Sequence, residues 1–106
     1  YELLIAIANS GYTETIMDAA RSSRAPGGTV IHAKGTGAEH AEKFLGISLA
    51  EEKEMIFIAV KTSRKKAIMK AIMEKAGADT KAGTVVFSLP ITETAGLRML
   101  DEMEED

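Results

Sequence analysis

The apolar positions along the chain fall into short blocks of two kinds. Residues 2–9 hold Leu3, Leu4, Ile5, Ala6, Ile7 and Ala8 in one run, closed by Asn9-Ser10-Gly11. A continuous apolar run of that length, bounded by turn residues, predicts a buried strand. Over about 14–23 the spacing changes, and Ile16, Met17 and Ala20 share a helical stripe. Thr13 is placed to cap this helix, and Ala25-Pro26-Gly27-Gly28 stops it. Residues 29–34 predict a second strand. Residues 35–53 are small, polar and acidic, and read as irregular or partly helical. A third strand is predicted over 54–61. Thr62 or Ser63 then caps a second helix over about 64–76. Its stripe is Ile68, Met69, Ile72, Met73 and Ala76, and its wet face carries Lys65, Lys66, Lys70, Glu74 and Lys75. Gly77 suits the position just past its end. A fourth strand covers 84–89, and Pro90 ends it. The tail DEMEED, 101–106, is acidic and expected to fray.

The order is strand, helix, strand, then strand, helix, strand. Each half is a split βαβ unit. The pair predicts an α+β ferredoxin-like βαββαβ sandwich, an antiparallel four-stranded sheet with two helices on one face. A short echo supports a duplicated half: Gly28-Thr29-Val30-Ile31 follows the first helix and Gly83-Thr84-Val85-Val86 follows the second. One domain spans 1–106, with a long loop at 35–53 and a C-terminal tail at 91–106.

A sheet covered on one side should alternate apolar and polar residues. These strands do not. Leu3, Ile5 and Ile7 stand on one face and Leu4, Ala6 and Ala8 on the other; Ile56, Ile58 and Val60 are likewise opposed by Met55, Phe57 and Ala59. The face without helices is therefore apolar too, and a soluble monomer does not leave such an area bare. Either other copies of the chain cover it, which is the favoured reading, or the 35–53 segment folds over it.

Composition narrows the function. With 106 residues, 45% apolar content and net charge −3, the chain suits one small domain for which self-association helps burial. There is no basic excess to draw nucleic acid. No cysteine is present, so disulfides and thiolate metal sites are excluded. The apolar N-terminal run is too short to span a membrane and lacks the basic flank of a signal peptide. A soluble, cytoplasmic protein without membrane insertion is expected.

Gly35-Thr36-Gly37 directly follows a strand and opens the long loop. Glycines let backbone N–H groups approach an anion closely, and Thr36 adds a hydroxyl. Nine glycines predict roughly 0.7 such triplets by chance, so its placement alone gives it weight. Neither a dinucleotide fingerprint nor a Walker A loop is present. Lys81-Ala82-Gly83-Thr84 sets a cation, a glycine and a hydroxyl at the entrance to the last strand. His32, Glu39 and His40 are a possible metal set without local ligand spacing. No serine sits in a nucleophile elbow and the carboxylates lie in the loop and tail, so no enzyme chemistry is expected.

The layout from Glu2 to Pro90 resembles the PII signalling family, the nitrogen-regulatory proteins. Gly27-Gly28-Thr29-Val30 followed by Lys34-Gly35-Thr36-Gly37 matches the family's second strand and loop base. Glu51-Glu52-Lys53 matches the lysine before its third strand. Gly83-Thr84-Val85-Val86-Phe87 with Pro90 is similar to its stretch after the second helix. The resemblance implies a homotrimer holding ATP, ADP or AMP between subunits, and a partner protein, such as a membrane transporter or an enzyme, read through the long loop. By position, Thr29 would face the adenine, Gly35, Thr36 and Gly37 the phosphates, Lys53 would assist, and Lys81, Ala82, Gly83 and Thr84 would line the other side. Glu39, His40, Glu42, Lys43 and Phe44 would form the partner-binding loop. The chain also departs from the pattern. Its loop is short and has no tyrosine, and Ala38 and Glu39 stand where arginine and glutamine are usual. The aspartate and lysine of the last glycine element are missing, and only Arg98 is near the usual arginine pair. Fewer cations imply weaker triphosphate binding and a preference for AMP, ADP or another small effector. Two alternatives share the topology: a metal-binding trimer resembling the divalent-cation tolerance proteins, using His32, His40 and nearby Glu residues such as Glu39, and an ACT-like small-molecule sensor.

Overall fold

The computed structural model describes residues 1–36, 43–44, 47–48 and 51–97. The elements in order are β1 (Glu2–Asn9), α1 (Thr13–Ser22), β2 (Thr29–Gly35), β3 (Lys43–Phe44), β4 (Ile47–Ser48), β5 (Glu51–Val60), α2 (Lys65–Ala76) and β6 (Val85–Pro90). A four-stranded sheet runs in the order β2-β5-β1-β6, every neighbour antiparallel. The small β3 and β4 strands pair with each other. Each helix links strands that are not neighbours, because one strand of the other half lies between them. The ferredoxin-like βαββαβ prediction therefore holds.

Leu4, Ala6 and Ala8 of β1 and Ile56, Ile58 and Val60 of β5 turn to the helix side and are buried. They join Ile16, Met17 and Ala20 of α1 and Ile68, Ile72 and Ala76 of α2 in one core cluster. Burying each large aliphatic side chain contributes about 1.5–3 kcal/mol. The stripe of α2 is narrower than its sequence predicts. Residues 68, 72 and 76 point into the core, but Met73 lies one step round the helix and is exposed. Lys65, assigned to the wet face, is half-buried and its Nζ donates to Glu2 Oε1 at 2.9 Å.

The predicted caps are not formed. Tyr12, not Thr13, stands at the N-cap of α1 and makes no side-chain cap, while the Thr13 hydroxyl donates to Glu54. Thr62–Arg64 form a 3₁₀ turn leading into α2 rather than a capping loop. Gly77 ends α2 with φ −71, outside the left-handed region. Its reason for being glycine is space: a Cβ there would overlap the carbonyl oxygen of Met73. β5 begins at Glu51, three residues before its predicted start, and those residues pair with the end of β2. Of the described residues in 35–53, all but Thr36 are in strands rather than the expected irregular or helical structure.

The helix-free face is apolar, as its sequence implies. Leu3, Ile5 and Ile7 lie between Leu89, Phe87 and Val85 on one side and Ala59, Phe57 and Met55 on the other. Val85, Phe87 and Leu89 are each about half exposed, at 48–50%. The same face ends in polar residues, since Asn9 and Lys53 continue its register. The two echo segments lie at equivalent places, each opening the strand after a helix, but their matching residues are out of step. Thr29 lies on the open face opposite Phe57, whereas Thr84 is fully buried. An offset of one residue puts matching side chains on opposite sides of a sheet.

Candidate functional site

Two clusters of candidate residues lie at opposite ends of β2. At its start, Pro26, Gly27, Gly28 and Thr29 form one wall of a cavity of about 340 Å³. Leu3, Phe57 and Ala59 of the open face form its floor, and Gly96 and Leu97 of the C-terminal segment close it. The lining is apolar except for backbone groups and the Thr29 hydroxyl, which suits a flat heteroaromatic ring.

At the far end of β2, the loop base and the turn before β6 meet through two side chains. Lys53 sits in a central strand, opposite Ala33 on one side and Asn9 on the other. Its ammonium donates to Asn9 Oδ1 at 2.6 Å and pairs with Glu51 at 3.1 Å. Its aliphatic stem crosses Gly35, where a Cβ would lie 2.7 Å from Lys53 Cε. Asn9 then reaches the turn before β6. Its Nδ2 donates to the Lys81 carbonyl at 2.8 Å, and its backbone N–H to the Ala82 carbonyl at 2.9 Å. Gly83 completes that turn at φ +56, a conformation that favours glycine. The structure thus brings Gly35, Lys53, Lys81, Ala82 and Gly83 into one neighbourhood. Thr36 is exposed at the end of β2.

Other candidates are placed differently. Ala82 is buried, so only its backbone is offered. Thr84 is fully buried, and its hydroxyl has no hydrogen-bond partner among the described residues. An orphaned hydroxyl in a core is costly. Thr84→Val is expected to stabilise the fold by about 1 kcal/mol, read as a higher urea midpoint at unchanged slope. Gly37, Glu39, His40 and Glu42 lie outside the described residues, and Lys43 and Phe44 are described only as the backbone of β3. Among the described residues no three His, Asp or Glu side chains group as a metal site.

His32 instead stands beside Glu54, with 3.6 Å between Nδ1 and Oε2. Glu54 is a buried carboxylate on the helix side of β5. Its Oε1 accepts from the Thr13 hydroxyl at 2.7 Å and from the Gly11 N–H at 3.2 Å. The Thr13 hydrogen bond, more than any other contact, holds its carboxyl below the ordinary value of 4.5, against the opposing effect of burial. This network pins the turn between β1 and α1. A lowered folded value means the contribution is full above pH 4.5 and disappears as pH falls through the folded value. Glu54→Gln is expected to cost about 1 kcal/mol at neutral pH and to flatten the acid limb of stability. Urea midpoints at pH 7, 5 and 4 measure both effects.

Asn9 and Glu54 were the residues that sequence reasoning missed. By pattern Asn9 only closes a strand, but in the fold it prolongs the Leu3, Ile5, Ile7 face. By pattern Glu54 only opens a strand, but in the fold it is buried on the face of Ile56, Ile58 and Val60.

Charge at the loop base is nearly balanced. Lys34 lies 3.7 Å from Glu52, and Lys53 lies 3.1 Å from Glu51. No helix among the described residues is long and apolar enough to cross a membrane.

Comparison with curated proteins gave no match. The family described as nitrogen regulatory protein P-II matches residues 1–100, nearly the whole chain. A match of that extent agrees with the topology, the glycine-based loop after β2 and the apolar open face, and the chain belongs to the nitrogen regulatory protein P-II family.

Proposed function

We propose that this P-II-family signalling protein binds an adenine nucleotide between subunits of a homotrimer and reports its occupancy to a partner through the loop after β2. The observation that carries the reading is the separation of the two candidate clusters. Six residue steps along β2 set Thr29 and Gly35 roughly 20 Å apart. An apolar, ring-sized cavity lies at one end and a glycine-and-lysine loop base at the other. They are too distant to grip one nucleotide within a single copy. Both clusters border the open apolar face, and packing that face against other copies would bring the cavity of one copy to the loop base of its neighbour.

The chain does no chemistry in this reading. Thr29 meets the base, the backbone of Gly35 to Gly37 meets phosphate, and Lys53 and Lys81 supply positive charge. The segment carrying Glu39, His40, Glu42, Lys43 and Phe44 follows directly from the phosphate end, so occupancy there is transmitted to it. Calorimetric titration with ATP, ADP and AMP, joined to size exclusion with light scattering, tests the proposal. A trimer binding at least one nucleotide below millimolar concentration supports it. A monomer, or a trimer that binds none of the three, overturns it.

A further inference from the structure

We propose that Glu51 is a specificity-determining residue of the loop base, acting as an internal anion on the Lys53 ammonium, and that Asn9 is the positioning residue that holds the ammonium there. The proposal rests on the nucleotide reading above and names which nucleotide the site prefers: the monophosphate over the triphosphate.

Two contacts hold the Lys53 ammonium and a third places its stem. Asn9 Oδ1 accepts from it at 2.6 Å, Glu51 Oε2 lies 3.1 Å away, and the stem is laid over Gly35. The cation is mostly shielded, with 24% of its side chain exposed. It is already satisfied before a ligand arrives. A phosphate reaching it must displace the Glu51 carboxylate or sit beside it, and like charges at that distance repel. The repulsion grows with each further phosphate. A second carboxylate, Glu52, adjoins through its pairing with Lys34. Lys81 is then the cation in this cluster with no carboxylate paired to it in the described structure.

Asn9 does more than hold the ammonium. Its amide accepts from Lys53 with one end and donates to the Lys81 carbonyl with the other. Only an amide does both in this orientation. A shift of Lys53 toward ligand therefore releases the amide that also ties the turn at Lys81 to Gly83. The side chain joins the two walls of the phosphate half-site and couples their positions.

Calorimetric titration of the wild type, Glu51→Gln and Asn9→Asp with adenosine, AMP and ATP tests this. The wild type is expected to bind AMP more tightly than ATP. Glu51→Gln should tighten ATP about five-fold, equivalent to removing one partly shielded charge contact, with little change for adenosine. Asn9→Asp places a second carboxylate on the ammonium and loses the donor to Lys81. It should weaken ATP about ten-fold relative to adenosine. The ratio of ATP to adenosine affinity is the deciding readout, because a lesion that merely loosens the fold lowers both. Glu51 is half exposed at a strand end, so its glutamine variant is expected to fold even where Asn9→Asp does not. A wild type that binds nucleotide while Glu51→Gln leaves the ratio unchanged, or weakens ATP, overturns this proposal and leaves the nucleotide reading standing. A wild type that binds neither these three ligands nor ADP overturns both.

Discussion

Phe87→Glu is expected to yield a folded monomer that no longer binds nucleotide. Phe87 lies opposite Ile5 on the open face and is 48% exposed in the isolated chain. It is not among the buried core residues, so the fold does not depend on it. Its neighbours across and along the sheet, Ile5, Val85 and Leu89, are apolar. In an assembly that covers this face, a glutamate at 87 would be buried without a partner, a cost of several kcal/mol repeated in every copy. In the proposed homotrimer, each Å² of apolar area covered on this face contributes roughly 25 cal/mol. Light scattering should report a three-fold fall in mass while far-ultraviolet circular dichroism keeps its shape. A variant that keeps the mass of the proposed homotrimer would show that another surface holds the copies together.

Gly77→Ala should produce the largest loss of stability among single-atom-scale changes. The added methyl overlaps the Met73 carbonyl oxygen, which already accepts the Gly77 N–H at 3.1 Å. Backbone cannot move aside as a flexible side chain can. The residue is also tied on its other side, because its carbonyl accepts from both the Thr80 N–H at 3.0 Å and the Thr80 hydroxyl at 2.8 Å. Relief of the overlap must open the last turn of α2 or break that tie. About 3 kcal/mol is expected, the upper range for overpacking, which is a large share of the ~5–15 kcal/mol that holds a domain of this kind. Chemical denaturation should show it as a lower midpoint. Hydrogen exchange should locate the opening at 76–84, where the Thr84 N–H donates to Ala76 at 2.9 Å.

The layers of the fold were legible because local patterns decide them. The run at Leu3–Ala8, the Ile68–Ile72–Ala76 line and the punctuation at Pro26 and Pro90 each carry their own signal. Even the open face could be read, since apolar residues on both sides of a strand leave little choice. The boundaries failed where charge mimics a loop. Glu51, Glu52 and Lys53 look like connector residues but pair with β2 beyond the area the helices cover. Met73 failed for a different reason: of the five residues of the predicted stripe, Ile68, Ile72 and Ala76 are buried and Met69 packs partly against the core, but Met73 lies one step too far round the helix. The candidate site was legible in its glycines and lysines, which have short-range signatures. Asn9 was not, because its role joins residues 44 and 72 positions away in the chain. The same holds for Glu54 and Thr13, 41 positions apart.

The placement of the two clusters at opposite ends of β2 also governs what damaged chains can do for one another. In a cleft shared by neighbours, a lesion at Thr29 and a lesion at Gly35 on the same copy spoil two different clefts. The same lesions on separate copies can fall into one cleft and leave the next intact. Mixing two non-binding chains would then restore some nucleotide binding, as defective half-sites complement each other, while a single chain carrying both lesions would stay silent in homogeneous assemblies.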